Sequence, residues 1–291
     1  MQLEANQRLS TKTPLVSLVT PTRDRHELLP FAYRWVQSLA KPEWEWVVLD
    51  DTDHPCTFMA ELGDPRVRYE RRDPGLTLGA KRNAVVALAR GAIVVHLDDD
   101  DFYAPAYLSR LLDALAGGAG LAKLGSWYVY SVGEGILGHV DMTRPQTSGW
   151  EMSARGVRRV RLGGDGLAVP VQGPDVVELE TPELGWGFSF AYRREAWERC
   201  PFPDVNWNED GIFATRVAAR WGLAVVPDTA GLCLHLVHAH AASASFPEVL
   251  LPPGELRRLF PPAVEDLIAA VRGLPPARSK GSRARSRCCS R

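Results

Sequence analysis

In the stretch IVVHLDDDDFY, residues 93–103, four consecutive carboxylates, Asp98, Asp99, Asp100 and Asp101, follow an apolar run. Like charges at contact distance repel and raise one another's pKa unless something positive sits among them. A divalent cation, which takes carboxylate oxygens as ligands, is the first candidate. The run is not an EF-hand: counting from Asp98 puts Phe102 at the fifth ligand position, Tyr103 where glycine is required and Ser109 where the bidentate glutamate belongs. Two glycine-bearing stretches approach phosphate-loop patterns without meeting them. GLTLGAKRN (75–83) separates its glycines by three residues and follows Lys81 with Arg82 in place of Ser or Thr. GEGILG (133–138) has the G-x-G-x-x-G spacing but lies in a hairpin-like region and opens no helix. No Ser, His and Asp set stands in a nucleophile-elbow context.

Carboxylates at these separations need a scaffold to bring them together, and the first third of the chain reads as one. LVSLVTP (15–21) and EWVVLDD (45–51) are short, nearly continuous apolar runs rich in β-branched or aromatic residues, which predicts buried strands. Between them, ELLPFAYRWVQSLA carries Leu28, Phe31, Trp35 and Leu39 at spacings of three and four, an amphipathic helix, so the three form a βαβ unit. RVRYE (66–70) predicts a third strand, GAKRNAVVALARG a helix stopped by Gly91, and AIVVHL a fourth strand that delivers the aspartates. Parallel order places Pro21, Asp51 and Asp98 to Asp101 at the carboxyl edge of one sheet, where open α/β sheets bind ligands.

From residue 126 to 212 glycine, tryptophan and short β-like pieces such as SWYVYSVGEGILGHV predict hairpins and loops added to that core. DGIFATRVAARWG then reads as a helix ended by Gly222, followed by a strand, LAVVPD. The last segment, LPPARSKGSRARSRCCSR, holds Arg278, Lys280, Arg283, Arg285, Arg287 and Arg291 with no balancing acid. It reads as a disordered basic tail, suited to weak electrostatic contact with an anionic membrane surface or an acidic partner. A formal net charge of −1 over 291 residues argues against bulk nucleic-acid binding. The five cysteines, Cys56, Cys200, Cys233, Cys288 and Cys289, lack C-x-x-C spacing and read as free thiols of a reducing compartment. The opening MQLEANQRLSTKTP lacks the apolar core of a signal peptide, and no stretch approaches the roughly 18 apolar residues of a membrane span, so a soluble, cytoplasmic protein with no transmembrane segment is expected.

Five ordered pieces, PLVSLVTPTRDR, WVVLDDTD, GLTLGAKRNAVVALARGAIVVHLDDDDFYAPAYL, FSFAYRREAWERCPFPDVNWNEDGIFATRVAARWG and HLVHAHAAS, resemble the pattern of family 2 glycosyltransferases with the GT-A fold, from about residue 14 to 245. The resemblance implies an α/β fold with a Rossmann-like, mostly parallel nucleotide-binding core. Its parts are an N-terminal tail (1–13), a nucleotide-sugar-binding half (14–125), an acceptor-binding and catalytic-base half of the same domain (126–250), a C-terminal helical segment (251–274) and the basic tail (275–291). By the same resemblance Asp51 holds the nucleobase beside Pro21 and Arg23, the D-x-D element falls on Asp98 and Asp100, and the acidic pair before a helix on Glu209 and Asp210. The usual DDGS is here DDTD, and Arg23 stands where an aromatic often follows the first-strand Pro-Thr, so base and acceptor preferences do not transfer.

Chemistry suits these positions. Breaking a sugar–diphosphate bond leaves negative charge on the departing nucleotide, which Mg²⁺ or Mn²⁺ stabilises. Asp100 is the expected metal ligand, with Asp98 or Asp99 toward the ribose hydroxyls or a metal-bound water, and Asp101 reads as a cap of the next helix. Lys81 and Arg82 would add positive charge near the phosphates. Asp210 is the expected general base of a single, inverting displacement, and Glu209 would orient a hydroxyl or a neighbouring donor. Of His235, His238 and His240, placed where relatives carry a metal- or phosphate-contacting histidine, His238 is preferred for the metal. Trp186 and Trp207 could wall a sugar ring or belong to the core. The expected reaction uses a nucleotide-diphosphate sugar, UDP-linked in the first instance, and an acceptor saccharide, small molecule or peptide. The alternatives are a nucleotidyltransferase, whose first loop is usually glycine-rich where TPTRDR is not, and a non-catalytic nucleotide- or carbohydrate-binding relative.

Overall fold

In the computed structural model, residues 16–40, 43–144, 148–161, 184–241 and 244–275 are described. The N-terminal tail, Cys288, Cys289 and the basic tail beyond Pro275 lie outside them.

The apolar runs at the start form β1 (Val16–Thr22) and β2 (Trp44–Asp50), buried along their whole length. They pair in parallel, from Val16 opposite Trp44 to Thr22 opposite Asp50. The segment between them is α1 (Leu29–Ser38), which starts with proline in its first turn and buries Leu29, Ala32, Trp35 and Val36. After the short α2 (Thr57–Glu61), β3 (Val67–Arg71) adds a parallel outer strand. The next helix, α3 (Leu78–Leu88), is capped by Thr77, whose hydroxyl accepts the Ala80 N–H at 3.1 Å. It ends before the predicted stop at Gly91. The Arg90 N–H donates to Glu45 Oε1 at 2.6 Å and the Gly91 N–H to Ser17 Oγ at 2.8 Å, so the chain is tied to the starts of β1 and β2 instead of adding a helical turn. Then β4 (Ile93–His96) joins β1 in parallel and releases the aspartates at its carboxyl end.

Beyond the aspartates come β5 (Phe102–Tyr103), α4 (Tyr107–Ala116) and β6 (Leu121–Leu124). Two hairpins follow as expected, β7 (Ser126–Ser131) with β8 (Ile136–Asp141), and β9 (Ser148–Ser153) with β10 (Gly156–Arg161). The G-x-G-x-x-G stretch forms the first hairpin's turn and the start of β8, with Gly135 at φ 69°. Next are β11 (Ala191–Arg193), α5 (Arg194–Arg199), α6 (Glu209–Trp221), ended by Gly222 at φ 79°, and β12 (Leu223–Val226). The chain closes with β13 (Cys233–Val237), β14 (Val249–Leu251), α7 (Glu255–Leu259) and α8 (Ala263–Arg272).

Among the described residues the main sheet has the order β12-β6-β11-β4-β1-β2-β3, parallel except for β11, which runs against both neighbours. A second sheet has the order β14-β8-β7-β13-β5. Alternation along the strands feeds both faces of the main sheet. Leu18, Trp46, Val48 and Val95 pack in one cluster with Leu29, Tyr107 and Leu111. Val19, Val47, Leu49 and Val94 pack in another with Val85, Val86, Phe213 and Val217. A third cluster joins the second sheet to Leu28, Trp35 and the apolar face of α8.

Candidate functional site

The carboxyl ends of β1, β2 and β4 bring Pro21, Asp51 and the four aspartates to one edge. Asp98, Asp100 and Asp101 each place an oxygen so that the three lie within 4.8 Å of one another. Asp99 accepts a hydrogen bond from the Thr22 hydroxyl. The positive charge among them is Arg25, from the loop after β1: its Nη1 contacts Asp100 Oδ2, and its Nη2 lies 3.2 Å from Asp99 Oδ1, an ion pair without hydrogen-bond alignment. His238 Nδ1 accepts the His240 backbone N–H at 3.3 Å while its Nε2 lies 3.0 Å from Asp100 Oδ2, an arrangement in which Nε2 carries the proton and donates to the carboxylate. Asp101 does not cap the following helix, whose N-terminus at Ala106 has no side-chain cap. It accepts instead from His235 Nδ1 at 2.9 Å and from the Leu236 N–H at 2.9 Å, holding the start of β13 against the cluster.

The four carboxyls ionise unequally. Burial, offset in part by Arg82 and reinforced by Asp101 and Asp100, pushes Asp98 up to about 6. Burial against the opposing pull of Arg25 pushes Asp99 up to about 7. Asp100 goes the other way: burial would raise it, but Arg25 and His238 hold it well below the usual carboxylate range. Burial also works against the charge on Arg25, and Asp100 and Asp99 outweigh it. Three convergent carboxylate oxygens are a hard-cation donor set, so the residues present fit Mg²⁺ or Mn²⁺.

On the other side of β1, Lys81 is buried and contacts Asp51 Oδ1, while Arg23 Nη1 stands 3.8 Å from Asp51 Oδ2, an oxygen with no hydrogen-bond partner. Asp50, the carboxylate before it, accepts from the Tyr69 hydroxyl at 2.6 Å and the Thr52 N–H at 2.8 Å and pairs with His26 Nε2 at 2.8 Å. The two adjacent aspartates therefore divide: Asp50 is saturated inside the protein, and Asp51 keeps an oxygen free.

Glu209 and Asp210 open α6, where the helix dipole favours negative charge. Glu209 is buried against Arg82, with 3.1 Å between Oε1 and Nε; burial raises its pKa and Arg82 opposes the rise. Arg82 also donates to His96 Nδ1 at 3.0 Å, and the imidazole's Nε2 meets the Tyr192 hydroxyl at 2.9 Å. Lys81 and Arg82 thus form no exposed basic face. Asp210 accepts the Gly187 N–H at 2.7 Å on Oδ2 and the Gly211 N–H at 2.8 Å on Oδ1. Residue 187 has no room for a side chain, since a Cβ would lie 2.9 Å from both Arg82 Nη2 and Asp210 Cβ. Trp186 before it, in the left-handed region at φ 75°, carries the strain of that approach.

A cavity of about 280 Å³ opens between these groups, and Pro21, Asp98, Asp100, Arg82, Glu209 and Asp210 all line it. Asp51, Lys81, Arg23, Asp99 and His238 are not in its wall. Trp186 and Trp207 line it as well; Trp207 is 56% exposed, so it is not core, whereas Trp186 packs its ring 5.1 Å from that of Trp127. His235 also faces it, with a buried Nε2 that has no hydrogen-bond partner. Sequence reasoning missed Arg25, the Asp101–His235 pair and the Gly187 amide. Arg25 alone had a usable signal: a second arginine in TPTRDR, on the same sheet edge as the unbalanced aspartates.

The family model described as Glycosyl transferase family 2 matches residues 17–173, more than half of the chain. The chain belongs to glycosyltransferase family 2. It is 32% identical over 103 residues to the colanic acid biosynthesis glycosyl transferase WcaA of Escherichia coli K12, itself a provisional assignment, over 34% of this chain and 37% of WcaA. It is 40% identical over 81 residues to the succinoglycan biosynthesis protein ExoO of Rhizobium meliloti, over 27% of this chain and 23% of ExoO. The matches thus span well under half of these relatives. Among solved structures, S. aureus TarS 1–349 in complex with UDP-GlcNAc superposes with a TM-score of 0.51 at 16% identity, covering 79% of this chain and 61% of that one. The mannosyltransferase PcManGT from Pyrobaculum calidifontis, in complex with GDP-Man and Mn²⁺, does so with 0.51 at 19%, covering 77% and 57%. The fold is GT-A, as family 2 membership implies. Among the described residues no helix is long and apolar enough to cross a membrane.

Proposed function

We propose that this chain is a metal-dependent, inverting glycosyltransferase that moves a sugar from a nucleotide-diphosphate donor, UDP-linked in the first instance, to an acceptor hydroxyl. The observation that carries the reading is that one cavity is lined both by the D-x-D carboxylates, Asp98 and Asp100, and by Asp210, delivered from well-separated stretches of the chain. A cation-holding group and a proton-accepting group facing one space are what single displacement at an anomeric carbon requires. That TarS binds UDP-GlcNAc and PcManGT binds GDP-Man with Mn²⁺ supports a nucleotide-sugar donor and a divalent cation.

In this reading Asp51, with its free oxygen, accepts from the nucleobase, and Lys81 and Arg23 fix its carboxylate. Asp98 and Asp100 would hold the cation, with His238 steadying Asp100, and of the pair expected to meet the ribose hydroxyls it is Asp98, not the buried Asp99, that faces the cavity. When bound, Mg²⁺ or Mn²⁺ supplies charge neutralisation at the departing diphosphate. Asp210, oriented by the Gly187 and Gly211 amides, takes the proton of the attacking hydroxyl. Glu209 acts through Arg82, as the buried partner that holds the guanidinium at the cavity wall. Incubation with a panel of UDP- and GDP-sugars and Mn²⁺, with and without EDTA, tests this by nucleotide release. Release on one donor, lost in EDTA and in Asp100→Ala, is expected. Unchanged release in EDTA or in that variant removes the metal assignment, and no release on any donor with varied acceptors removes the transferase reading.

A further inference from the structure

We infer that Arg25 is a further donor-binding residue, which neutralises the metal-site carboxylates while donor is absent and passes to the donor's diphosphate when a metal–nucleotide pair enters. The inference rests on the metal-dependent reading above. Asp100 Oδ2 is contacted by both Arg25 Nη1 and His238 Nε2, and Asp99 Oδ1 faces Arg25 Nη2 at 3.2 Å. The guanidinium therefore occupies Asp100, one of the carboxylates that would hold a cation, and pairs with Asp99 beside it. Two cations on the same carboxylate repel strongly in a partly buried site, so a divalent ion and Arg25 compete.

The other cations at this edge have partners that a metal would leave in place. Lys81 contacts Asp51, Arg82 pairs with Glu209, and Arg23 lies near Asp24 and Asp51. Among the ion pairs of the described residues, those of Arg25 are with Asp99 and Asp100 alone. Its backbone is anchored nearby, since the preceding Asp24, at φ 55°, donates its N–H to Thr52 Oγ1 at 2.8 Å. A change of partner therefore falls on the long side chain, which is 23% exposed and already lines the cavity beside Asp98 and Asp100. A diphosphate arriving with a cation repays the lost carboxylates with two anionic groups whose oxygens match the guanidinium fork.

Two consequences of opposite sign follow. Without nucleotide, Arg25 weakens cation binding; with it, Arg25 strengthens binding of the metal–nucleotide pair. Calorimetric titration of Mn²⁺ into the full chain, with no nucleotide and with UDP or GDP, tests both in wild type, R25M and R25K. R25M is expected to bind Mn²⁺ alone tighter, and the metal–nucleotide pair more weakly, each by on the order of tenfold. Its metal-free melting temperature should fall, and Mn²⁺ should raise it by more than in wild type. R25K keeps the charge without the fork, so it should hold the wild-type affinity for Mn²⁺ alone yet lose affinity for the pair; it carries the test if R25M does not fold. Affinities that are unchanged, or that fall together as a merely structural arginine would cause, overturn the role of Arg25. Wild type that binds no Mn²⁺ with either nucleotide overturns the metal-dependent reading and this inference with it, a distinct result.

Discussion

Single side chains at the sheet edge do separate jobs because their partners differ. Asp210 is held by two backbone amides and faces the cavity, so Asp210→Asn keeps the size and loses the proton acceptor. Turnover should fall by roughly 10² to 10⁴ while nucleotide affinity, measured by titration, changes little. Asp50 shows the opposite use of a carboxylate. Burial would raise its pKa, but hydrogen bonds from Thr52, Tyr69 and His26 outweigh that and hold it below the ordinary value. A depressed folded-state pKa contributes stability that is present above the unfolded value and lost as pH falls through the folded one. Removing one of those bonds in Tyr69→Phe should cost about 1.5–3 kcal/mol at pH 7. Urea denaturation at several pH values should show that cost shrinking as pH falls below ~4, where unfolded Asp50 takes up a proton, and vanishing once pH falls through the lower folded-state value.

At the scale of elements, the N-terminus of α3 is pinned to the loop that leads into α6. The Gly79 N–H donates to the Val205 carbonyl at 3.0 Å, and a Cβ at residue 79 would lie 1.8 Å from the Pro203 carbonyl oxygen. That oxygen is backbone, so no side-chain rotation relieves the clash. Gly79→Ala should destabilise the protein by about 1–3 kcal/mol in urea denaturation. Because the displaced loop leads into Glu209 and Asp210 at the start of α6, turnover should also drop at temperatures where the variant is fully folded. An Ala at this position with wild-type turnover would mean that the loop is not what places Asp210.

On the scale of the whole molecule, the C-terminal α8 closes the second sheet and shares an apolar cluster with Leu28 and Trp35 from the start of the chain. The turn that carries Leu28 follows directly on Arg25, so packing at the far end of the chain supports the loop at the carboxylate cluster. Leu267 is fully buried in this cluster, and Leu267→Ala should cost about 2–5 kcal/mol, read as a lowered urea midpoint with little change in slope.

Periodicity and turn chemistry are local, so the amino-acid sequence by itself determined the alternation of strands and helices, the parallel start of the main sheet, the hairpins after residue 126 and the stop at Gly222. It also placed the aspartates at the end of a strand, next to an apolar run, and Asp210 at the start of an amphipathic helix, with the pairing of Glu209 and Asp210 implied by the family resemblance. Partners are not local. The sequence shows Lys81 and Arg82 as neighbours on one helix, and only packing sends one to Asp51 and the other to Glu209. Asp101 could cap a helix as well as any aspartate; it binds His235 because β13 returns beside β5 from more than a hundred residues away. The end of α3 at Leu88 was decided by Ser17 and Glu45 on strands it follows in the chain. The counter-charge demanded by four adjacent carboxylates was legible as a need, whereas its source in Arg25 was settled by the loop between β1 and α1 folding back over the edge, a long-range arrangement that no spacing rule encodes.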